Sequence, residues 1–523
     1  MEISVTSTPT GSGSAATVEA VPGGWRGRLR SDWYLVLLLA VCLGRMWIMP
    51  LPSSFWLDEA ATVMLAQHPD DPSFNVAPQL SATIYNYAPQ AIHRMVGDSE
   101  IAYRLPSLLL AAMALWFTAR IAARLIAPEA AWFAVFGCLC IADFNFYAGD
   151  ARPYALGIFI ATASMWLLLR WIDSGEWLDA GLFWLMAALL WRVHLAFWAF
   201  YPVYLLCGLL RMARRERRAT WTQALVLLAV TSASLIPVAI RALGLFRNAE
   251  THIVARVVGL HYFGTSLAWE EVAGVGAVAV VASLLYRLER ARSAPFNSLG
   301  VVAVWWLAMP VLVFGASRVT GTGMFRVRYV SPALPGAALA ATALAAAFLP
   351  ARLWKPAAAA LALAALAVAG HWEAVWPNHA QFEDWRGMAT LADLAATRPD
   401  TPVVVPSGFA EAIRPNWTPD YKVPGFLYSQ LYVYPVRGRI IPFPFSTLPE
   451  DQTYMKQLAA DTLTRGDRFI LFGGGENANV WLKFLLGLPE LAGWHMNYRV
   501  SGGLLVAVFD RSGVAGLGDT AFQ

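Results

Sequence analysis

Long apolar runs, separated by short clusters of arginine, repeat along the first two thirds of this 523-residue chain. An apolar run of about 18 residues or more can cross a bilayer as a helix, because a helix satisfies all of its backbone hydrogen bonds within the segment. Only 14% of the residues are charged and 58% are hydrophobic, whereas roughly a quarter are charged in soluble domains. The sequence therefore predicts a polytopic α-helical membrane protein.

We predict about eleven transmembrane helices from the lengths of these runs. The first run extends from about Trp33 to Pro50 and follows three arginines. No small-residue cleavage pattern comes after it, so we expect a signal anchor and not a removed signal peptide. The further runs cover residues 101–119, 130–147, 154–171, 178–193, 195–210, 221–240, 272–287, 299–316, 330–349 and 357–371.

The distribution of arginine predicts the orientation. Arginine-rich connections such as RMARRERR (211–218) and RLERAR (287–292) alternate with connections that carry only scattered arginines. The positive-inside rule assigns the arginine-rich connections to the cytoplasm. With a cytoplasmic N-terminus and an odd number of spans, the chain after the last span lies outside the cytoplasm. Because the arginines form short clusters between apolar runs, we expect the membrane and no nucleic acid as a partner.

The composition predicts three regions. Residues 1–30 begin with Ser, Thr, Gly and Ala and are predicted to form a disordered cytoplasmic tail. Residues 31–371 form the transmembrane domain. Residues 372–523 are less apolar and are predicted to form an extracytoplasmic α/β domain. Within it we predict strands at 401–408, 467–475 and 502–510 and a helix at 382–396.

The first outside loop, residues 51–100, begins with an adjacent acid pair, Asp58 and Glu59, in SSFWLDEAATVMLAQ (53–67). Apolar residues at helical spacing predict two amphipathic helices in the membrane interface, the second ending at Gly97. Acids in the first turn of a helix are favoured by the helix dipole. A carboxylate held over the lipid surface could also perform chemistry. The pattern alone favours neither interpretation.

Further charges fall at the same predicted face of the membrane. GDARPYAL (149–156) carries Asp150 and Arg152, and FRVRYVSPALPG (325–336) carries Arg326 and Arg328. Arginine binds phosphate through a planar fork of donors, and the chain has no lysine before Lys355. On an extended segment Arg326 and Arg328 point to one side and could hold one phosphate. The alternative is that both reach lipid headgroups at the interface.

The order of these motifs resembles the lipid-sugar-dependent glycosyltransferases of the GT-C fold. The matching motifs, in chain order, are WLDEA (56–60), GDSEIAYRLPSLLLA (97–111), GDARPYAL, RVHLAF (192–197) and FRVRYVSPALPG. The similar branches are the bacterial protein-mannosyltransferase-like and aminoarabinose-transferase-like enzymes of the glycosyltransferase 39/83-type superfamily. The resemblance covers about residues 30–371. It implies an inverting transfer of a sugar from a polyprenyl-phosphate donor to an acceptor hydroxyl on a lipid, glycan or protein of the cell envelope.

The resemblance also implies residue roles and a location. The first-loop acid, here Asp58 with Glu59 beside it, is expected to be catalytic or associated with a divalent metal ion, with Asp150 as a further candidate metal ligand. A phosphate leaving group needs positive charge, so we expect Arg152, Arg326 and Arg328 to bind the donor phosphate. His194 could bind the donor phosphate or the acceptor, and the alternative is that it caps a helix. The site is expected on the outer side of a bacterial inner membrane.

Two other function classes remain open: a transporter or flippase for lipid-linked sugars, and a non-catalytic envelope-assembly protein. Transporters usually carry ionisable residues deep within their spans and have matched halves. In this sequence the charges gather at one face and the halves do not match, which favours the enzyme.

Overall fold

Helices make up most of the protein, with a small sheet near the C-terminus. The computed structural model describes residues 25–77, 80, 83–213, 217–247, 257–285, 296–370, 383–414 and 416–513. Most of the predicted N-terminal tail and the predicted domain boundary at 372 lie outside these residues. The helices are α1 (Trp25–Leu43), α2 (Leu57–Gln67), α3 (Tyr87–Met95), α4 (Glu100–Leu125), α5 (Ala131–Leu139), α6 (Ala142–Ala148), α7 (Tyr154–Ser174), α8 (Trp177–Val193), α9 (Tyr201–Met212), α10 (Trp221–Arg247), α11 (Leu260–Thr265), α12 (Trp269–Leu285), α13 (Phe296–Thr320), α14 (Leu334–Ala346), α15 (Trp354–Ala369), α16 (Trp385–Ala395), α17 (Ser429–Val433), α18 (Pro449–Asp461) and α19 (Gly475–Leu486).

The described residues contain seven helical segments that are long and apolar enough to cross a membrane, and α5 with α6 forms an eighth that bends by 81°. Three shorter or more charged apolar helices, α1, α8 and α12, lie at the remaining predicted positions. Large apolar side chains such as Leu109, Leu225 and Val311 are exposed on the outer surfaces of the helices, as expected where a helix faces lipid. The protein is a multi-pass membrane protein, as predicted.

Opposite ends of the helical bundle carry different charge clusters. At one end, Arg124 and Arg211 both bond Asp173, with N···O distances of 2.6 Å and 2.7 Å. At the other end, the turn before α7 lies against the start of α2. The side chain of Arg152 donates a hydrogen bond there to the backbone carbonyl of Asp58. The C-terminal ends of α4, α7 and α9 therefore lie together at one end, and the start of α7 lies beside α2 at the other.

A five-stranded mixed sheet organises the C-terminal domain. Its strands are β1 (Pro402–Pro406), β2 (Arg439–Phe443), β3 (Arg468–Gly474), β4 (His495–Ser501) and β5 (Leu504–Asp510), in the order β2-β1-β3-β5-β4. The first three in that order are parallel, whereas β5 is antiparallel to both of its neighbours. Helices α18 and α19 cover one face of the sheet, and α16 covers the other. The predicted α/β character is confirmed.

The first outside loop shares the hydrophobic core of the C-terminal domain. Leu57, Met64 and Leu65 of α2 are buried in one cluster with Trp385 of α16 and with residues of β1 and β3. Nine of the eleven residues of α2 are buried. Helix formation at this position is what the sequence predicts, but the enclosure of α2 by a domain more than 300 residues later was not foreseen.

Candidate active site

A large cavity lies between the transmembrane helices and the C-terminal domain. Its volume is about 1030 Å³. Its walls include α2 and the turn before α7 from the membrane part, and the segment Gly408–Glu411 from the C-terminal domain. Asp58, Arg152, His194, Arg326 and Arg328, all predicted site residues, line this cavity together.

Asp58 is held at the cavity wall by two arginines. Its Oδ2 atom accepts a hydrogen bond from Arg328 Nη1 at 2.9 Å, and Arg152 Nη2 lies 3.8 Å from the same oxygen. The side chain is 18% exposed, so it is accessible from the cavity. Asp58 is the second residue of α2, and the extended backbone of Trp56 leads into the helix and directs the first turn towards the cavity.

Glu59, the neighbour of Asp58, points in the opposite direction and is completely buried. Its carboxylate forms a two-pronged ion pair with Arg104 of α4: Nε to Oε1 at 2.8 Å and Nη2 to Oε2 at 2.5 Å. The backbone N–H groups of Ala151 and Trp56 also donate to it, at 2.7 Å and 3.2 Å. Because no face of this carboxylate reaches the cavity, it cannot contact a substrate in this structure.

Arg104 in turn organises the loop that precedes α2. Its Nη1 and Nη2 atoms donate to the backbone carbonyls of four residues of the loop, at 2.8–3.2 Å, namely those of Pro50, Leu51, Ser53 and Ser54. The side chain is fully buried. Its acid partner is Glu59, so the ion pair and the carbonyl contacts together fix the loop to α4.

Arg152 connects the turn before α7 to α2. Its Nη1 atom donates to the carbonyl of Asp58 at 3.2 Å and to Thr62 Oγ1 at 3.0 Å. Its Nε atom is buried and has no partner among the described residues. The guanidinium is 11% exposed, so it adds positive charge to the cavity wall while fixing the helix that carries Asp58.

Arg326 and Arg328 lie on the segment that leads into α14. Arg326 has an extended backbone (φ −142°, ψ 145°), and a 3₁₀ segment, Val327–Ala333, begins immediately after it. Both arginines line the cavity. Among the described residues, no hydrogen bond or ion pair is found for the side chain of Arg326, so its charge is not neutralised by a neighbouring acid.

His194 lies between α8 and the 3₁₀ segment Leu195–Phe200. Its Nδ1 atom accepts a hydrogen bond from the backbone N–H of Ala196 at 3.1 Å, so the neutral ring carries its proton on Nε2. Burial, with the charges of Arg152 and Arg328, lowers the pKa of His194 to about 3. The ring is therefore neutral at physiological pH and offers a hydrogen-bond donor but no charge.

Close packing places this histidine. A Cβ atom at Gly157 of α7 would lie 2.2 Å from the ring of Phe197, so only glycine allows the segment after His194 to approach α7. The His194 ring lies against the ring of Tyr329, with 5.1 Å between the ring centroids. The histidine is thereby brought beside the segment that carries Arg328.

Asp150 lies behind the cavity wall and is 1% exposed. Its Oδ1 atom accepts a hydrogen bond from Trp56 Nε1 at 3.0 Å, whereas no described residue bonds its Oδ2 atom. Burial raises the pKa of Asp150 well above its ordinary value, and the charge of Glu59 adds to this rise. The structure thus separates Asp150 from the residues that line the cavity.

The residues present do not fit a divalent metal ion held by Asp58 and Asp150. No group of three His, Cys, Asp or Glu side chains is arranged as a metal site in the described part of the chain. Asp58 Oδ2 already faces two guanidinium groups, whose positive charge opposes a cation at this point. Asp150 is buried with a pKa that favours its neutral form.

Two contacts of the site were not predicted from the sequence. Glu383 Oε2 accepts a hydrogen bond from the backbone N–H of Leu57 at 2.8 Å. Tyr434 Oη accepts one from the N–H of Phe55 at 2.9 Å. Both residues belong to the C-terminal domain and hold the loop that carries Asp58. Each of these side chains bonds a backbone group more than 300 residues earlier in the chain. No local sequence pattern indicates such a contact, so it is seen only in the folded protein.

Comparison with known proteins shows the fold. No family model and no curated protein matches the sequence. Among solved structures the chain is similar to ArnT from Cupriavidus metallidurans bound to undecaprenyl phosphate, with a TM-score of 0.52 and 12% identity over 94% of this chain and 100% of that one. The apo state of the same ArnT aligns with a TM-score of 0.39 and 13% identity, over 93% of this chain and 100% of that one.

The chain therefore has the GT-C fold. One solved protein with which it shares this architecture is ArnT. The GT-C fold that the resemblance implied is confirmed.

Proposed function

We propose that this protein is a membrane glycosyltransferase that moves a sugar from a polyprenyl-phosphate donor to an acceptor hydroxyl of the cell envelope. The observation that carries this proposal is the juxtaposition of an accessible carboxylate, Asp58, with three arginines, Arg152, Arg326 and Arg328, on the wall of one cavity, where Arg328 bonds Asp58 directly. The GT-C fold and the undecaprenyl phosphate bound by the similar ArnT structure support a polyprenyl-phosphate donor.

The proposed chemistry divides between a base and a cationic clamp. Asp58 takes the proton of the acceptor hydroxyl as the acceptor oxygen attacks the anomeric carbon of the sugar. The bond between that carbon and the phosphate oxygen breaks, and the electron pair leaves with the polyprenyl phosphate. Attack opposite the leaving group inverts the configuration at the anomeric carbon.

The arginines supply what the leaving group requires. A departing phosphate monoester needs no proton, so fixed positive charge beside its oxygens is the most effective stabilisation. Arg326 has no acid partner among the described residues, and Arg328 can exchange its contact with Asp58 for one with phosphate. His194, which is neutral, donates a hydrogen bond from Nε2 and adds no charge.

Glu59 takes a positioning role in this proposal and not a catalytic one. Its carboxylate joins α4, the N-terminus of α2 and the turn before α7 through Arg104, Trp56 and Ala151. Ordering these three elements sets the relative positions of Asp58 and Arg152. Catalysis depends on such fixed geometry, because small displacements of a reacting group lower the rate strongly.

The location follows from the orientation of the spans. We propose that the cavity and the C-terminal domain lie on the extracytoplasmic face of a bacterial inner membrane, where envelope acceptors are found. Reporter fusions after Arg218 and after Thr401 test this topology and should report opposite sides of the membrane. The same side for both would contradict it.

A transfer assay tests the activity. The full-length protein, purified in detergent or nanodiscs, is supplied with a set of polyprenyl-phosphate sugars and an envelope lipid, glycan or glycoprotein extract. Release of polyprenyl phosphate and transfer of the sugar are followed by mass spectrometry, with Asp58→Asn as the control. Movement of the intact donor across vesicles without release of phosphate would indicate a flippase, and inactivity in both assays would indicate an assembly protein.

A further inference from the structure

A carboxylate from the C-terminal domain caps the helix that carries Asp58. Glu383 Oε2 accepts hydrogen bonds from the backbone N–H of Leu57 at 2.8 Å and from Trp385 Nε1 at 2.6 Å. Leu57 is the first residue of α2 and directly precedes Asp58. The N–H groups of the first helical turn have no partner within their own helix, so Glu383 satisfies one of them from another domain.

The surroundings of Glu383 disfavour the charged form of its carboxylate. Burial raises its pKa above the ordinary value, while the charges of Asp58 and Glu59 add to the rise; the hydrogen bonds from Trp385 and Leu57 oppose it. A carboxylate beside two others costs free energy unless positive charge compensates. The partial positive charge at the N-terminus of α2 provides that compensation.

Other contacts fix the same stretch of backbone. The backbone N–H of Arg386 donates to Ser54 Oγ at 3.0 Å, and its Nη2 donates to the carbonyl of Pro52 at 3.1 Å. The C-terminal domain also approaches α2 closely, because a Cβ atom at Gly408 would lie 2.4 Å from the side chain of Leu57. The start of α2 is therefore held on several sides by the C-terminal domain.

We propose that Glu383 is a positioning residue for the transfer reaction: by capping α2 from the C-terminal domain, it fixes the place of Asp58 in the cavity. This inference rests on the proposed function of Asp58 as the base. Through Glu383, which does not touch the substrate, the C-terminal domain contributes to the geometry of the catalytic site.

Two substitutions at Glu383 separate positioning from folding. Glu383→Leu removes the acceptor for the Leu57 N–H, whereas Glu383→Gln keeps an amide oxygen that can accept the same bond. Asp384→Leu is the matched control, because Asp384 Oδ1 caps α16 within its own domain, accepting from the Gly387 N–H at 3.0 Å. The three variants are compared as full-length protein with the same polyprenyl-phosphate sugar donor.

We expect Glu383→Leu to lower kcat by about 10- to 100-fold, the range that follows from a displacement near 1 Å of a reacting group, with the KM for donor little changed. Glu383→Gln should recover most of the wild-type kcat, and Asp384→Leu should retain it. Wild-type kcat in Glu383→Leu would overturn the inference while leaving the proposed function intact. Full activity in Asp58→Asn would overturn the proposed function itself.

If Glu383→Leu does not fold, the same hydrogen bond can be tested from its donor side, at Leu57. Leu57→Pro removes the backbone N–H that donates a hydrogen bond to Glu383, and proline is well tolerated at the first position of a helix. If the two residues act through one bond, adding Glu383→Ala, which removes the acceptor, to Leu57→Pro should lower kcat no further than Leu57→Pro alone. A multiplicative loss in the double variant would show that Glu383 acts by another route and would contradict the inference.

Discussion

Arg328 Nη1 lies 2.9 Å from Asp58 Oδ2, so the proposed base and a proposed phosphate ligand are bonded to each other at the cavity wall. A donor phosphate offers several charged oxygens to the planar guanidinium and therefore competes with Asp58 for Arg328. When the phosphate binds, Asp58 Oδ2 loses a donor and becomes available to the acceptor hydroxyl. Under the proposed function, this arrangement would couple activation of the base to occupation of the donor site.

Asp58→Asn should lower turnover by at least about 100-fold, the usual scale for loss of a general base. Asparagine keeps an oxygen that can accept from Arg328, so expression and the unfolding temperature in detergent should stay close to those of the wild type. Sugar transfer measured at saturating donor gives the rate. Near-full activity of this variant would exclude Asp58 as the base.

Arg326→Ala and Arg328→Ala should each lower the rate of transfer from polyprenyl-phosphate sugar without changing membrane insertion. Lysine at either position should restore little activity, since it provides charge without the planar fork of donors. Donor titrations of the alanine and lysine variants, with insertion followed by membrane fractionation, check both statements. Wild-type turnover in both alanine variants would mean that the phosphate is bound elsewhere in the cavity.

The membrane architecture follows from local sequence, whereas the contacts that complete the site do not. Apolar runs such as 101–119 specify a span through their own composition, and α4 covers this run. The pair of Glu59 with Arg104 joins α2 to α4, and Glu383 reaches α2 across 326 positions. Such pairings are consequences of packing between distant segments, so no periodicity or motif in either partner indicates them.

Two strands of the sheet, β2 and β4, were not predicted, for different reasons. Strand β2 is the short segment RIIPF, in which Pro442 interrupts a β pattern, and it lies at an edge of the sheet, where proline is tolerated. Strand β4 is the opposite edge and is largely exposed. Its sequence, HMNYRVS, does alternate polar and apolar residues, which is the local pattern of a strand, so this strand was recognisable from its sequence. The predicted strands β1, β3 and β5 are the buried inner ones.

Glu59→Ala should destabilise the protein strongly, because it leaves the guanidinium of Arg104 buried without its anionic partner. Loss of one member of a buried ion pair typically costs about 3–5 kcal/mol. Denaturant unfolding in detergent measures this loss, with Asp400→Asn as the control: Asp400 forms an exposed pair with Arg398, and such pairs contribute about 0–1 kcal/mol. Equal effects of the two changes would contradict the structural role of Glu59.

His194 should make stability depend on pH in a defined direction. Its folded pKa of about 3 lies below the ordinary histidine value of about 6.5. As the pH falls from 6.5 towards 3, the unfolded chain binds a proton that the folded protein does not, so stability is lost over this window. His194→Asn retains a side-chain acceptor for the Ala196 N–H but cannot titrate.

Thermal unfolding of the wild type and of His194→Asn between pH 7.5 and pH 5 should therefore show a smaller loss for the variant at the acidic end. The pH dependence of transfer should have the same shape in both proteins over this range, because the histidine stays neutral throughout. A rate limb that disappears in the variant would show that His194 titrates during the reaction.

Asp150→Asn should be nearly silent in activity and neutral or stabilising at pH 7.5. Because the folded pKa of Asp150 is raised above the ordinary value of about 3.9, stability falls as the pH rises from there towards the folded pKa. Asparagine removes this loss and can still accept from Trp56 Nε1. The stability advantage of the variant should shrink as the pH is lowered towards 5, which thermal unfolding at several pH values will show.

The same variant tests the metal role considered for Asp150 and Asp58. A metal ligand changed to asparagine weakens the binding of the ion, so transfer would fall sharply and recover when Mg²⁺ or Mn²⁺ is raised. If Asp150 is instead a buried acid that supports Trp56, transfer by Asp150→Asn should stay within a few-fold of the wild type, and both proteins should respond equally to EDTA. Recovery of a severely impaired Asp150→Asn by added metal would overturn this interpretation of the site.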